Sequence, residues 1–179
     1  MFGRTGRPLN DKEKSLNKSE IILARLPIVI LKGSKVSVAS LSLKQLEAIV
    51  TGKVTNWKDL GGENKPIFFV GRDPNEAALS VLKKEYKFFS NAIYNRVVKR
   101  DHYVNFFLES KEGEYGLGFG VKLNFKKSQI LNISDFNPSI GVGLVYDNKN
   151  LNHPLVKSVK EYSESKEWKK FVSSKGYQP

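Results

Sequence analysis

Apolar and polar positions along the chain separate into stretches of two periods. Ile21 to Leu31 is almost continuously apolar, interrupted only by Arg25 and Pro27, and reads as a strand buried on both faces. Leu43, Leu46, Ile49 and Val50 fall at helical spacing. Ser42 precedes them as a cap, Gln45 follows it by three residues as a capping-box partner, and Gly52 stands where the backbone turns left-handed. Short apolar runs at Ile67–Val70, Tyr115–Gly120, Ile130–Ile133 and Gly143–Tyr146 predict further strands. Pro74 to about Val98 reads as mostly helical. Within it Tyr86, Phe88, Phe89, Ile93 and Tyr94 form an aromatic-rich band of core character rather than a base-stacking platform. His153 to Val172 predicts a long terminal helix with a break near Ser165. At the start, Phe2 to Leu9 reads as a glycine-rich loop, followed by a helix capped by Asn10 or Asp11 and running to about Ser19. Alternation of strands and helices predicts an α/β architecture with mainly parallel pairing.

Composition narrows the function. With 40% hydrophobic and 27% charged residues in 179, the chain can bury a core of one large domain or two small lobes. No apolar run is long enough to span a bilayer. The absence of cysteine excludes disulfide scaffolds and cysteine metal sites. Met1 leads into Phe2-Gly3-Arg4, so no secretory signal is visible. The net charge of +12 admits a nucleic acid, an anionic surface or an anionic small ligand. The lysines are spread along the chain, without the dense block of a nucleic-acid tail.

Chemistry-bearing motifs are sparse. There is no serine nucleophile elbow, P-loop or zinc-protease helix. His102 and His153 stand apart from any carboxylate cluster in sequence, so no metal site is expected. The glycines around Tyr115 do not open a helix with dinucleotide-binding spacing. No catalytic residue and no cofactor are therefore assigned.

Leu41 to Gly62, with its Leu-Ser, short helix, Gly52-Lys53, Asn56-Trp57 and Gly61-Gly62, resembles the phosphate-binding proteins of ABC importers. Other pieces agree in the same order: Arg7-Pro8-Leu9 with Glu13, Leu26 to Ile30, Gly71-Arg72-Asp73, Tyr115 to Phe119, and the ending Gly176-Tyr177-Gln178-Pro179. The resemblance implies a two-lobe α/β fold of the type II periplasmic-binding-protein kind, closing on its ligand like a hinge. It places residues 35–128 in the second lobe, with 1–34 and 129–179 sharing the first. Arg72 matches the family's anion-binding arginine, and its planar fork suits an oxyanion. Asp73 and Glu76 beside it, and Thr5 and Arg7 in the opening loop, complete the expected ligand set. Trp57 is expected to pack the lobe.

Two departures from the family pattern shape the expectation. The family opens with a strand and a Ser/Thr-Gly-rich loop that holds phosphate at a helix N-terminus. This chain starts after that point, so the first lobe is expected to be incomplete and to need a partner or a second copy. Where the family carries Ser-Gly-Thr, this chain has Glu76, Ala77 and Ala78, which removes two hydroxyls and adds a carboxylate that repels an oxyanion or pairs with Arg72. The resemblance implies a non-catalytic, extracytoplasmic solute-binding protein that passes a phosphate-like anion to a membrane permease. The rival readings are a degenerate member acting as an interaction or sensor module, and a polyanion or nucleic-acid binder.

Overall fold

The structure is a computed structural model. It describes residues 2–7 and 9–179; Pro8, the middle of Arg7-Pro8-Leu9, lies outside the described residues, as does Met1. In chain order the elements are β1 (Phe2–Thr5), α1 (Asp11–Ser15), β2 (Lys18–Lys32), β3 (Ser40–Leu41), α2 (Leu43–Val50), β4 (Phe68–Arg72), α3 (Ala77–Glu85), β5 (Arg96–Val98), α4 (Asp101–Glu109), β6 (Gly116–Val121), β7 (Ile130–Ile133), β8 (Ser139–Asp147), α5 (Pro154–Glu164) and α6 (Lys166–Ser174). None of these helices is long and apolar enough to cross a membrane. The chain forms two compact units, residues 1–27 with 139–179, and residues 28–138.

The first unit is an antiparallel ribbon. β8 pairs β1 on one side, with Phe2 opposite Tyr146, and the Lys18–Pro27 part of β2 on the other. A bulge between Ile22 and Ala24 interrupts the second pairing. Ile21, Tyr146 and Val156 make its core, and the Trp168 indole donates to the Leu23 carbonyl at 2.6 Å. The expected terminal helix is two helices, because Ser165 leaves the helical backbone and caps α6 through the Trp168 amide.

The second unit carries mixed pairing. Ile28–Lys32 of β2 runs antiparallel to β6, and Ile30 and Leu31 pair with β7. β4 lies parallel to both β5 and β6, and β3 parallel to β7. On one face Leu31 and Val70 pack on Val104, Phe107 and Leu108 of α4. Full burial of such side chains contributes about 1.5–3 kcal/mol each. Phe89 meets Phe119 edge-on, and Tyr94 packs against Phe69. α2 is built as its sequence reads: Ser42 and Gln45 exchange hydrogen bonds at 2.8 and 3.2 Å, and Gly52 takes φ 73°. Trp57 is fully buried, its indole donating to the Tyr115 carbonyl at 2.7 Å.

Several expectations are corrected. Phe2–Thr5 is a strand, not a loop, because β8 supplies its hydrogen-bonding partner. α1 ends at Ser15: Asn17 takes φ 54°, and Lys18 already begins β2. Of Pro74–Val98 only Ala77–Glu85 is α-helical; a 3-10 turn over Lys87–Asn91 and the strand β5 follow. Ile93 leaves the aromatic band for solvent. Pairing is not mainly parallel, since every pairing of β2 is antiparallel. The two units divide after Pro27 and after Pro138. β2 leaves its β8 partner at Pro27 and takes up β6 at Ile28.

Candidate functional site

Parallel strands deliver their C-terminal ends to one edge, and helices that follow them start there, N–H groups first. β4 ends at Arg72 and α3 begins at Ala77; β5 ends at Val98 and α4 begins at Asp101. Between these two helix starts lies the Arg72 side chain, 4% exposed. The preceding residue, Gly71, has no side chain and so leaves room for the Tyr94 ring.

Each part of the guanidinium has a different neighbour. Nη1 donates to Asp101 Oδ1. Nη2 lies 3.6 Å from Glu76 Oε1, an ion pair longer than a hydrogen bond. Nε is buried without a partner. Burial pulls the Arg72 pKa below its ordinary value, and the negative charges of Glu76 and Asp73 oppose that pull. Asp101 is itself held on its other oxygen, by the Val121 amide at 3.4 Å and by the Asn124 side-chain amide. Glu76 is the N-cap of α3 and accepts from the Leu79 amide at 3.2 Å. Asp73 turns to its own loop and accepts from the Asn75 amide at 3.0 Å.

Arg72, Glu76, Lys99, Arg100, Asp101 and His102, with two asparagines, line a cleft of about 620 Å³. Three fixed cations stand there against two carboxylates. Lys99, Arg100 and His102 are exposed. His102 lies against the Tyr103 ring, with centroids 4.2 Å apart. Among the described residues, no group of three histidines or carboxylates is arranged to hold a metal ion.

Thr5 and Arg7 belong to the first unit. The buried Thr5 hydroxyl donates to the Arg7 carbonyl. The Arg7 fork grips Glu13 at 2.7 and 2.9 Å, and Glu13 also accepts from the Asn10 amide at 2.9 Å in a capping box. The hydrogen bond from Arg7, followed by that of the Asn10 amide, holds the Glu13 carboxyl at about 2, and the same contact raises the Arg7 pKa. A groove of about 380 Å³ runs beside this loop and is lined also by Arg4, Lys18 and Asp147. The five expected residues thus divide: Arg72, Asp73 and Glu76 cluster in the second unit, while Thr5 and Arg7 sit in the first.

Sequence reading missed Lys99, Arg100 and Asp101. Their signal was present. A charged Lys99-Arg100-Asp101-His102 run stands directly before Val104, Phe107 and Leu108, an apolar set at helical spacing that marks α4.

The family described as PBP superfamily domain matches residues 2–162. The phosphate-binding protein PstS of Borreliella burgdorferi is 24% identical over 79 residues, which is 44% of this chain and only 28% of that relative's length. Two solved structures share the fold. One is the substrate-binding protein assigned to a phosphate ABC transporter of Clostridium perfringens, solved with phosphate bound. Its TM-score is 0.78 at 22% identity, over 99% of this chain and 78% of that one. The other is an ABC-type phosphate transport receptor from Vibrio cholerae, with TM-score 0.71 at 18% identity over 99% and 79% of the two chains.

Proposed function

The chain belongs to the PBP superfamily domain family, and from that membership we propose that it is a solute-binding protein that captures a small phosphate-like oxyanion through Arg72. The observation that carries the reading is the Arg72 guanidinium, buried between two helix starts with one edge empty of hydrogen bonds. A preoriented fork of this kind holds two oxygens of one anion, a geometry that a lysine cannot reproduce. Lys99 and Arg100 at the cleft mouth draw an anion inward. The relatives named for phosphate binding and phosphate transport support the ligand class.

On this reading the protein acts by binding alone. It works outside the cytoplasm and passes its ligand to the permease of an ABC importer. Asp73 and Glu76 flank the approach of the anion to Arg72. The test is calorimetric titration of inorganic phosphate at low salt into protein freed of bound anions, with Arg72→Ala beside it. Binding that disappears in the variant is expected. Equal affinity in both proteins would sink the assignment to Arg72.

One observation favours a second reading. Asp101 and Glu76 already supply Arg72 with two negative charges. A member of the family whose arginine is balanced internally needs no ligand and serves as an interaction or sensor module. Absence of both heat and thermal shift with phosphate, together with a stable homodimer or a required protein partner, selects this reading.

A further inference from the structure

Glu76 stands at the donors that a bound oxyanion would use. Its carboxylate accepts from the Leu79 amide in the first turn of the nine-residue helix α3 and faces the Arg72 fork. A helix start by itself attracts any anion weakly. The second and independent observation is the fork: Arg72 is 4% exposed, lines the cleft, and keeps its Nε–H buried without an acceptor.

We propose that Glu76 is a resident competitor for the oxyanion, a specificity-determining residue whose displacement sets the affinity of the site. This inference rests on the oxyanion reading above. The two carboxylates around Arg72 play different parts. Asp101 is a fixed counter-ion: it takes Nη1 and is tied down by Asn124 and the Val121 amide. Its grip orients the guanidinium and leaves the Nε–Nη2 edge toward Glu76. Glu76 covers that edge without hydrogen-bonding it, since its nearest oxygen is 3.6 Å away and Nε is unmet. A buried donor left unmet is costly, and an oxyanion with two oxygens at that edge satisfies it. The Glu76 carboxylate repels the incoming charge, because like charges interact strongly where water is scarce. The Glu76 side chain is 20% exposed and joined to the protein by one hydrogen bond and one long ion pair, so it is the group that gives way. Each binding event therefore spends part of its free energy on moving Glu76.

The test titrates inorganic phosphate calorimetrically into the wild-type protein, Glu76→Ser and Glu76→Asp. Serine keeps the helix cap and removes the charge, whereas aspartate keeps both. Glu76→Ser is expected to bind about tenfold to a hundredfold tighter than wild type, the range for regaining one hydrogen bond to a charged group. Glu76→Asp is expected to match wild type. Thermal melts alongside report folding; Glu76→Gln, with its capping carbonyl, carries the same expectation if the serine variant does not fold. Equal affinity in wild type and Glu76→Ser overturns the inference and leaves the oxyanion reading standing. Weaker binding in Glu76→Ser makes Glu76 a holding group and overturns the inference alone. No binding in any of the proteins overturns both.

Discussion

Arg72 at the end of β4 donates to Asp101 at the start of α4, twenty-nine residues further along the chain. The arginine is 4% exposed and its partner 13%, so the pair is largely removed from water. Deleting one side of such a pair strands the other charge. Asp101→Ala is expected to destabilise the fold by about 2–4 kcal/mol, with Glu76 left as the nearest anion. Asp101→Asn, which keeps an acceptor, costs less. Urea unfolding of the three proteins measures the order; equal midpoints for wild type and Asp101→Ala would show that the pair does not hold the site together.

Gly71, one residue before Arg72, lies under the Tyr94 ring. A Cβ there would stand 2.4 Å from two ring carbons. Phe69 and Phe119 hold the ring in place, so it cannot retreat freely. Gly71→Ala is expected to cost about 1–3 kcal/mol by overpacking and to weaken anion binding through its neighbour. A melting temperature equal to wild type would mean that the ring has space to move.

Tyr94 offers the opposite experiment. Its hydroxyl is buried without a hydrogen-bond partner, and burial pushes its pKa up to about 12. Removing an unmet polar group releases a penalty instead of breaking a contact. Tyr94→Phe is expected to leave stability unchanged or raise it by about 1 kcal/mol. Ultraviolet titration of wild type minus Tyr94→Phe should show no phenolate from this residue at pH 10–11. Clear destabilisation in the variant would reveal a partner for the hydroxyl.

Glu13 makes a pH prediction. Its carboxyl is held at about 2 in the folded protein, against an ordinary value of 4.5. Between these values the unfolded chain binds the proton and the folded chain does not, so acid favours unfolding. The contribution of Glu13 is fully present above about pH 4.5 and is lost as pH falls through 2. The contact is solvent-exposed, so the effect is small and weakens in salt. Wild type and Glu13→Gln should differ in melting temperature at pH 6 and converge near pH 2. A difference that does not change with pH would assign the effect to helix capping alone.

Legibility in the sequence followed distance along the chain. The signals of α2 lie within ten residues, from the Ser42 cap to Gly52, and every one is realised. The Arg72–Glu76 ion pair was readable because four residues bring side chains to one side of a helix start. Its counterpart Asp101 was not, because only the parallel pairing of β4 with β5 brings the start of α4 beside Arg72. β1 was invisible for the same reason. Four residues containing a glycine become a strand only when β8, far downstream, lines up with them.

β2 is a single strand with two sets of obligations. Up to Pro27 its register is written against β8, and from Ile28 it is written against β6 and β7. Losing or gaining one residue in such a strand turns every side chain beyond that point to the opposite face. Lys18 to Lys32 is therefore a stretch where descendants of this gene can trade side chains but not length. The bulge at Leu23 is the one place along its pairing with β8 where the count has already slipped. Insertions and deletions should instead collect in the largely exposed connection 149–152, whose length answers to no partner strand.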